Sequence, residues 1–313
     1  MLSAKQAAKA AGIEKRASRN VVETAIGTVL LVCASVSVMA TIAVIFSLSS
    51  ETIQFFAQPR VTFREFFTET RWTPLFSGSE QFFGIAPLIT GTLLVTIIAL
   101  IVGVPLGLGA AIYLAEFAND TTRRLVTPVL EILAGIPTVV LGYFAVLFVT
   151  PILQRFIPNL DFFNPLSAGL VMGFMILPTV SSISADSMRA VPGKLREAAY
   201  GLGATRAEVA TKVVFPAALS GIAAAIILAM SRAIGETMIV ALAAGQRPTF
   251  TFDPRETIAT MTSFIVQAAT GDQPAGSLAS QSLYAVAAVL FLITFVLNII
   301  SQQIVRRFAE KYE

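Results

Sequence analysis

Leu88-Ile-Thr-Gly-Thr-Leu-Leu-Val-Thr-Ile-Ile-Ala-Leu-Ile-Val-Gly-Val-Pro-Leu-Gly-Leu-Gly-Ala-Ala-Ile112 runs for 25 residues without a charged side chain. As a helix rising 1.5 Å per residue it reaches about 37 Å, more than the ~30 Å of a bilayer's hydrocarbon core. The run extends over 87–115, and five other mostly apolar runs lie at 24–48, 126–150, 166–187, 217–245 and 282–305. Six apolar runs predict an all-α, polytopic membrane protein with six transmembrane helices. Pro105, Pro137 and Pro178 fall inside three of them and read as kinks within a packed bundle.

Composition agrees. Of the 313 residues 55% are hydrophobic and only 13% charged, too few charges to cover a soluble surface. The mean hydropathy is +0.77. The chain has no His and one Cys, Cys33, which excludes an intramolecular disulfide, a histidine base and most zinc, haem or iron–sulfur sites. No metal or cofactor is expected in this chain. The net charge of +3 belongs to loops beside a membrane rather than to a nucleic-acid surface.

The first run follows basic residues, as a signal peptide would. It exceeds the apolar core of about 7–15 residues of such peptides and lacks a small-residue cleavage site, so it reads as an uncleaved first helix. With the N-terminal tail 1–23 cytoplasmic, fifteen Lys and Arg lie on that side, in the tail, in loops 116–125 and 188–216 and after 305. Six lie opposite: Arg60, Arg64, Arg71, Arg155, Arg247 and Arg255. That asymmetry puts both termini, including the tail 306–313, in the cytoplasm.

Segment 49–86 is outside in this topology and unusually aromatic, with Phe55, Phe66, Phe83 and the single tryptophan, Trp72. Two readings stand: rings lying at headgroup level along the membrane interface, or a docking surface for an external partner. Segment 246–281 is polar and rich in Gly, Pro and Thr, which reads mainly as loop. Gly103-x-x-x-Gly107 reads as a helix-packing face. The only Gly-Lys pair, Gly193–Lys194, has Met188 where a phosphate-binding loop needs its first glycine and Leu195 where it needs a hydroxyl. Serines without a matching base make no nucleophile, so the chain does not read as an enzyme.

Loop 188–216 carries local signals of its own. Pro192 suits a helix entry, Gly201 and Gly203 suit its end, and Thr205-Arg-Ala-Glu208 is a capping box that opens a second helix toward Pro216. A two-helix elbow therefore projects into the cytoplasm. The order Glu197-Ala198-Ala199, then Gly203, then Val213, Phe215 and Pro216 resembles the Glu-Ala-Ala loop of ABC importer permeases. Val213 and Phe215 replace the commoner Ile and Leu, and both stay apolar. The resemblance implies that Glu197, Ala198, Ala199 and Gly203 couple this chain to a separate ATP-hydrolysing subunit. It also implies a five-helix permease core over 87–305, behind the first helix.

Arg232 sits near the middle of run 217–245, where an arginine costs about 2.5–3.5 kcal/mol on insertion scales. Glu236 follows at i+4, nearly on the same helical face and about 6 Å along the axis. The pair reads either as a buried ion pair fixing helix register or as a guanidinium beside a water-filled anion pathway. The stretch Ser231–Met238, together with Phe83–Thr92, Pro105–Glu116 and Leu130–Pro137, resembles the phosphate branch of the same family. Thr237-Met238 is closer to the C-type of its two permease subunits. That resemblance implies a passage for inorganic phosphate with Arg232 and Glu236 on it. It also implies a sister permease, two nucleotide-binding subunits that use the ATP, an extracytoplasmic binding protein and a bacterial inner membrane. Alternatives are another oxyanion, sulfate or molybdate, and an anion channel independent of ATP.

Overall fold

The computed structural model describes residues 4–76, 78–274 and 276–308, and their side chains except those of 4–22, 79 and 305–308. Residues 309–313 of the expected tail 306–313 lie outside the described residues. Contacts divide the chain into two units, Met1–Glu51 and Thr52–Glu313. The first is helical from Ala4. Its helix, α1 (Ala4–Ala57), extends beyond the expected 24–48, and Leu31, Val36 and Phe46 on it are exposed. A helix apolar on every side suits lipid.

In the second unit follow α2 (Phe63–Thr68) and α3 (Ala86–Phe117), whose last turn, Tyr113–Phe117, is wider than α-helical. Next come α4 (Asp120–Gly135), α5 (Thr138–Gln154) and α6 (Pro165–Arg189). The elbow is α7 (Gly193–Gly201) and α8 (Arg206–Ala217). The chain continues through α9 (Leu219–Ile234), α10 (Met238–Ala243), α11 (Met261–Thr270) and α12 (Leu278–Phe308). No strand occurs among the described residues, and Trp72 and Phe83 form an isolated antiparallel bridge.

Four of the six expected spans are single long apolar helices, and two are broken. The expected span 126–150 is α4 and α5, meeting at 88°. Ile136, ahead of Pro137, is extended at φ −65°, ψ 127°, because a residue before proline is pushed out of the helical region. Pro105 and Pro178 carry the same local signal and stay inside α3 and α6. The expected span 217–245 is interrupted twice, by a 71° bend at Ala218 and by a turn at Gly235–Thr237. Part of segment 246–281, read as loop, is the capped helix α11.

The aromatic segment fits neither sequence reading as a whole. Phe55, Phe66 and Trp72, the last only 2% exposed, pack with Ile85, Leu88 and Phe264 into a small core. Their rings meet edge to face, Trp72 and Phe264 at 5.0 Å. Phe63 and Phe76 remain exposed.

The central seam joins α3 and α6, where glycines on both helices let the backbones approach. A Cβ at Gly103 would lie 2.7 Å from the Gly173 carbonyl oxygen, and one at Gly107 would lie 2.7 Å from Val180 Cβ. A Cβ at Gly109, on the other face, meets nothing within 4 Å. Gly107→Leu should therefore destabilise the fold by about 1–3 kcal/mol through overpacking, whereas Gly109→Ala should be neutral or slightly stabilising. Thermal unfolding of the two variants in detergent checks the contrast.

Candidate functional site

The elbow forms as its local signals dictate. Pro192 is the N-cap of α7, and Gly203, at φ +84°, is the left-handed residue that ends it. Gly203 N donates to Tyr200 O at 2.9 Å and Ala204 N to Ala199 O at 3.1 Å, the paired bonds of a Schellman turn. Gly201, the other expected terminator, is helical. The capping box at the start of α8 is complete: Glu208 N donates to Thr205 Oγ1 at 3.3 Å, and Thr205 N to Glu208 Oε2 at 3.0 Å. The Thr205 backbone N–H, Lys212 and the Thr205 hydroxyl hold the Glu208 carboxyl down to about 2. With its pKa depressed, this carboxylate contributes fully above the ordinary range near 4.5, and the contribution is lost as pH falls through about 2.

Glu197 and Ala198 are exposed on α7, and Ala199 is half-buried. Beside them Leu195, Tyr200 and Leu202, the last 90% exposed, present apolar surface. Such a cluster is the composition of a docking face.

Arg232 and Glu236 are not an ion pair. The helix expected to align them at i, i+4 stops at Ile234, so Glu236 lies in the turn before α10 rather than on the face of Arg232. Glu236 Oε1 accepts from Met238 N at 3.1 Å and Ile239 N at 3.3 Å, capping α10. Its carbonyl accepts from Thr262 Oγ1 at 2.8 Å. Arg232 stands in the last turn of α9 with its side chain exposed, and Nη1 donates to Thr179 Oγ1 of α6 at 3.3 Å. A cation near a helix C-terminus is favourable by about 0.3–1 kcal/mol. That is too little to offset an arginine in hydrocarbon, so the guanidinium needs water or an anion. Discontinuous helices commonly build the substrate sites of membrane transporters.

Spacing could not reveal a third cluster. Glu116, whose side chain is 6% exposed, accepts from Arg196 of α7 at 2.9 Å through Nη2 and 3.3 Å through Nε. Arg196 also donates to Val191 O at 2.6 Å and Met188 O at 2.7 Å. Next to it, the Arg206 guanidinium of α8 lies 5.4 Å from the centre of the Phe117 ring. The one available sequence signal was a carboxylate, Glu116, closing an apolar run.

Fold and site together define a polytopic membrane protein with an exposed two-helix elbow and an exposed cation at a break in an apolar span. The family of binding-protein-dependent transport system inner membrane components matches residues 103–311. The chain belongs to that family. It is 33% identical over 283 residues to a probable ABC transporter permease protein, YqgH, of Bacillus subtilis, covering 90% of this chain and 91% of that one. It is 35% identical over 265 residues to the phosphate transport system permease protein PstC of Mesorhizobium japonicum, covering 77% and 78%. A solved bacterial alginate ABC transporter, in complex with an alginate pentasaccharide-bound periplasmic protein, shares the fold. Its TM-score is 0.62 at 16% identity, over 90% of this chain and 96% of that one. The inward-facing MetNI methionine ABC transporter matches at a TM-score of 0.55 and 18% identity, over 72% and 95%. The fold is therefore that of an ABC importer permease of type I.

Proposed function

We infer that this chain is the transmembrane passage subunit of an ATP-driven importer of inorganic phosphate. Hydrolysis takes place in separate nucleotide-binding subunits. The observation that carries the substrate is Arg232, an exposed guanidinium at a helix break inside the membrane, in a chain akin to phosphate permeases. Its planar fork suits a tetrahedral oxyanion. The family's membership in binding-protein-dependent transport supports an extracytoplasmic binding protein that delivers the anion. The exposed elbow supports ATPase subunits seated on Glu197, Ala198 and the neighbouring apolar side chains. It also argues against a passive channel, which has no use for such a surface. A sister permease completes the passage: α4 buries none of its residues within this chain, leaving Leu125, Val129 and Ile132 for contacts outside it. The setting is a bacterial inner membrane with both termini cytoplasmic.

Uptake into membrane vesicles tests this reading. With the binding protein supplied, radiolabelled phosphate should accumulate only when ATP is present on the elbow side, and excess sulfate or molybdate should not compete. Accumulation without ATP would establish the channel instead, and competition by sulfate would move the substrate to that oxyanion. Orientation has its own check, on a Cys33→Ala background. A membrane-impermeant thiol reagent should label Phe63→Cys in intact spheroplasts and Leu202→Cys only after permeabilisation. Both positions are exposed, whereas Trp72 is buried and would report nothing.

A further inference from the structure

We propose that the elbow drives this permease through the cytoplasmic end of α3, with Arg196 and Glu116 as the positioning pair that carries its movement toward Arg232. The proposal rests on the reading of the elbow as the ATPase-docking element. No residue of α7 is buried, so apolar packing holds this helix weakly; Ala199 is its one apolar side chain half-buried, against the cluster that includes Ala111, Met188 and Val191. Arg196 makes up the difference with bonds to Glu116, Val191 and Met188, all between 2.6 and 3.3 Å. Apolar contacts slide, whereas a charge-assisted fork bonded on both sides keeps direction and length. Arg206 over Phe117 adds a second hold on the adjacent residue, from the other arm of the elbow. Both arms therefore grip residues 116 and 117.

From there the route is rigid. Gly107 of α3 lies against Val180 of α6 with no room for a methyl group between them. The neighbouring residue, Thr179, accepts the hydrogen bond of Arg232. A shift of the α3 end thus reaches the guanidinium through one glycine seam and one hydroxyl. A buried ion pair is a poor source of stability compared with apolar packing of the same volume, which favours a positioning role for this one.

The test uses the complete transporter in proteoliposomes and reads phosphate moved per ATP hydrolysed, alongside the ATPase subunit that co-purifies. Arg196→Gln and Glu116→Gln should each lower the phosphate-to-ATP ratio roughly tenfold, within the range of allosteric couplings, while the ATPase subunit stays bound. The double variant should be no worse than either single, since both remove one contact. Arg196→Lys should recover part of the ratio, because it keeps the charge and loses the fork. Glu116→Gln is nearly isosteric and keeps the test open if Arg196→Gln does not assemble. A parental ratio in Glu116→Gln, additive losses in the double variant, or losses that follow ATPase-subunit binding alone would each overturn the proposal. Gly203→Val separates the two readings. If it impairs ATPase binding while Glu116→Gln transports normally, the elbow stands and the strut fails. If Gly203→Val is itself parental in binding and uptake, the elbow reading fails first.

Discussion

Arg232→Gln should reduce ATP-driven phosphate uptake about 30-fold or more, because truncating one side of a desolvated charge interaction costs about 2–5 kcal/mol. Assembly should survive. The only side-chain hydrogen bond that the described residues offer Arg232 is a 3.3 Å contact with Thr179, and its favourable place near a helix C-terminus is worth about 1 kcal/mol at most. Phosphate carries one to two negative charges near neutral pH, so an apolar passage without this cation presents a steep desolvation barrier. Arg232→Lys should restore part of the uptake. Glu236→Gln should be milder than Arg232→Gln, since an amide oxygen can still accept from Met238 and Ile239, and Glu236→Ala should be worse than Glu236→Gln because it uncaps α10. Combining Arg232→Glu with Glu236→Arg should abolish transport. The two residues are not paired, and the exchange would set a donor where two backbone N–H groups need an acceptor. Normal uptake by that double variant at parental complex levels would sink the pathway role of Arg232.

Gly203→Val should uncouple the importer while leaving the permease inserted in the membrane. Nothing lies within 4 Å of a Cβ at Gly203, so the substitution acts on the backbone alone. At φ +84° a β-branched residue meets a penalty of roughly 1–2 kcal/mol or more, and the Schellman turn that fixes the angle between α7 and α8 is lost. Co-purification of the ATPase subunit and uptake should both fall. Gly203→Asn should keep most of both, because asparagine tolerates the left-handed turn. Gly201→Ala is the matched control: Gly201 is helical with open space around it, and alanine there should be neutral or stabilising. Equal behaviour of Gly203→Val and Gly201→Ala would show that the turn is not what seats the partner.

The features legible in the sequence are those whose physics is short-range. The capping box at Thr205, the turn at Gly203 and the entry at Pro192 each involve residues within five positions of one another, and none needs a distant partner. Membrane character is a sum over composition, and Arg232 stands out because a charge in an apolar run is costly wherever the helices pack. The breaks were a different matter. Each bent pair is apolar enough in sum to count as one span, because transfer into lipid depends on burial rather than on helix direction, so hydropathy does not register the bend. Pro105, Pro137 and Pro178 share one local signal, yet only Pro137 ends a helix. Its neighbour α4 buries no residue in this chain, whereas α3 and α6 are locked along a glycine seam. The separation of Glu236 from Arg232 follows from such a break. The meeting of Glu116 with Arg196, 80 positions apart, follows from where α3 ends beside the elbow. Sequence alone determined which residues are expensive in a membrane and how the elbow turns; only tertiary packing decided where the spans break and which distant groups answer that expense, because hydrogen bonds across helices depend on direction and contact that no local pattern encodes.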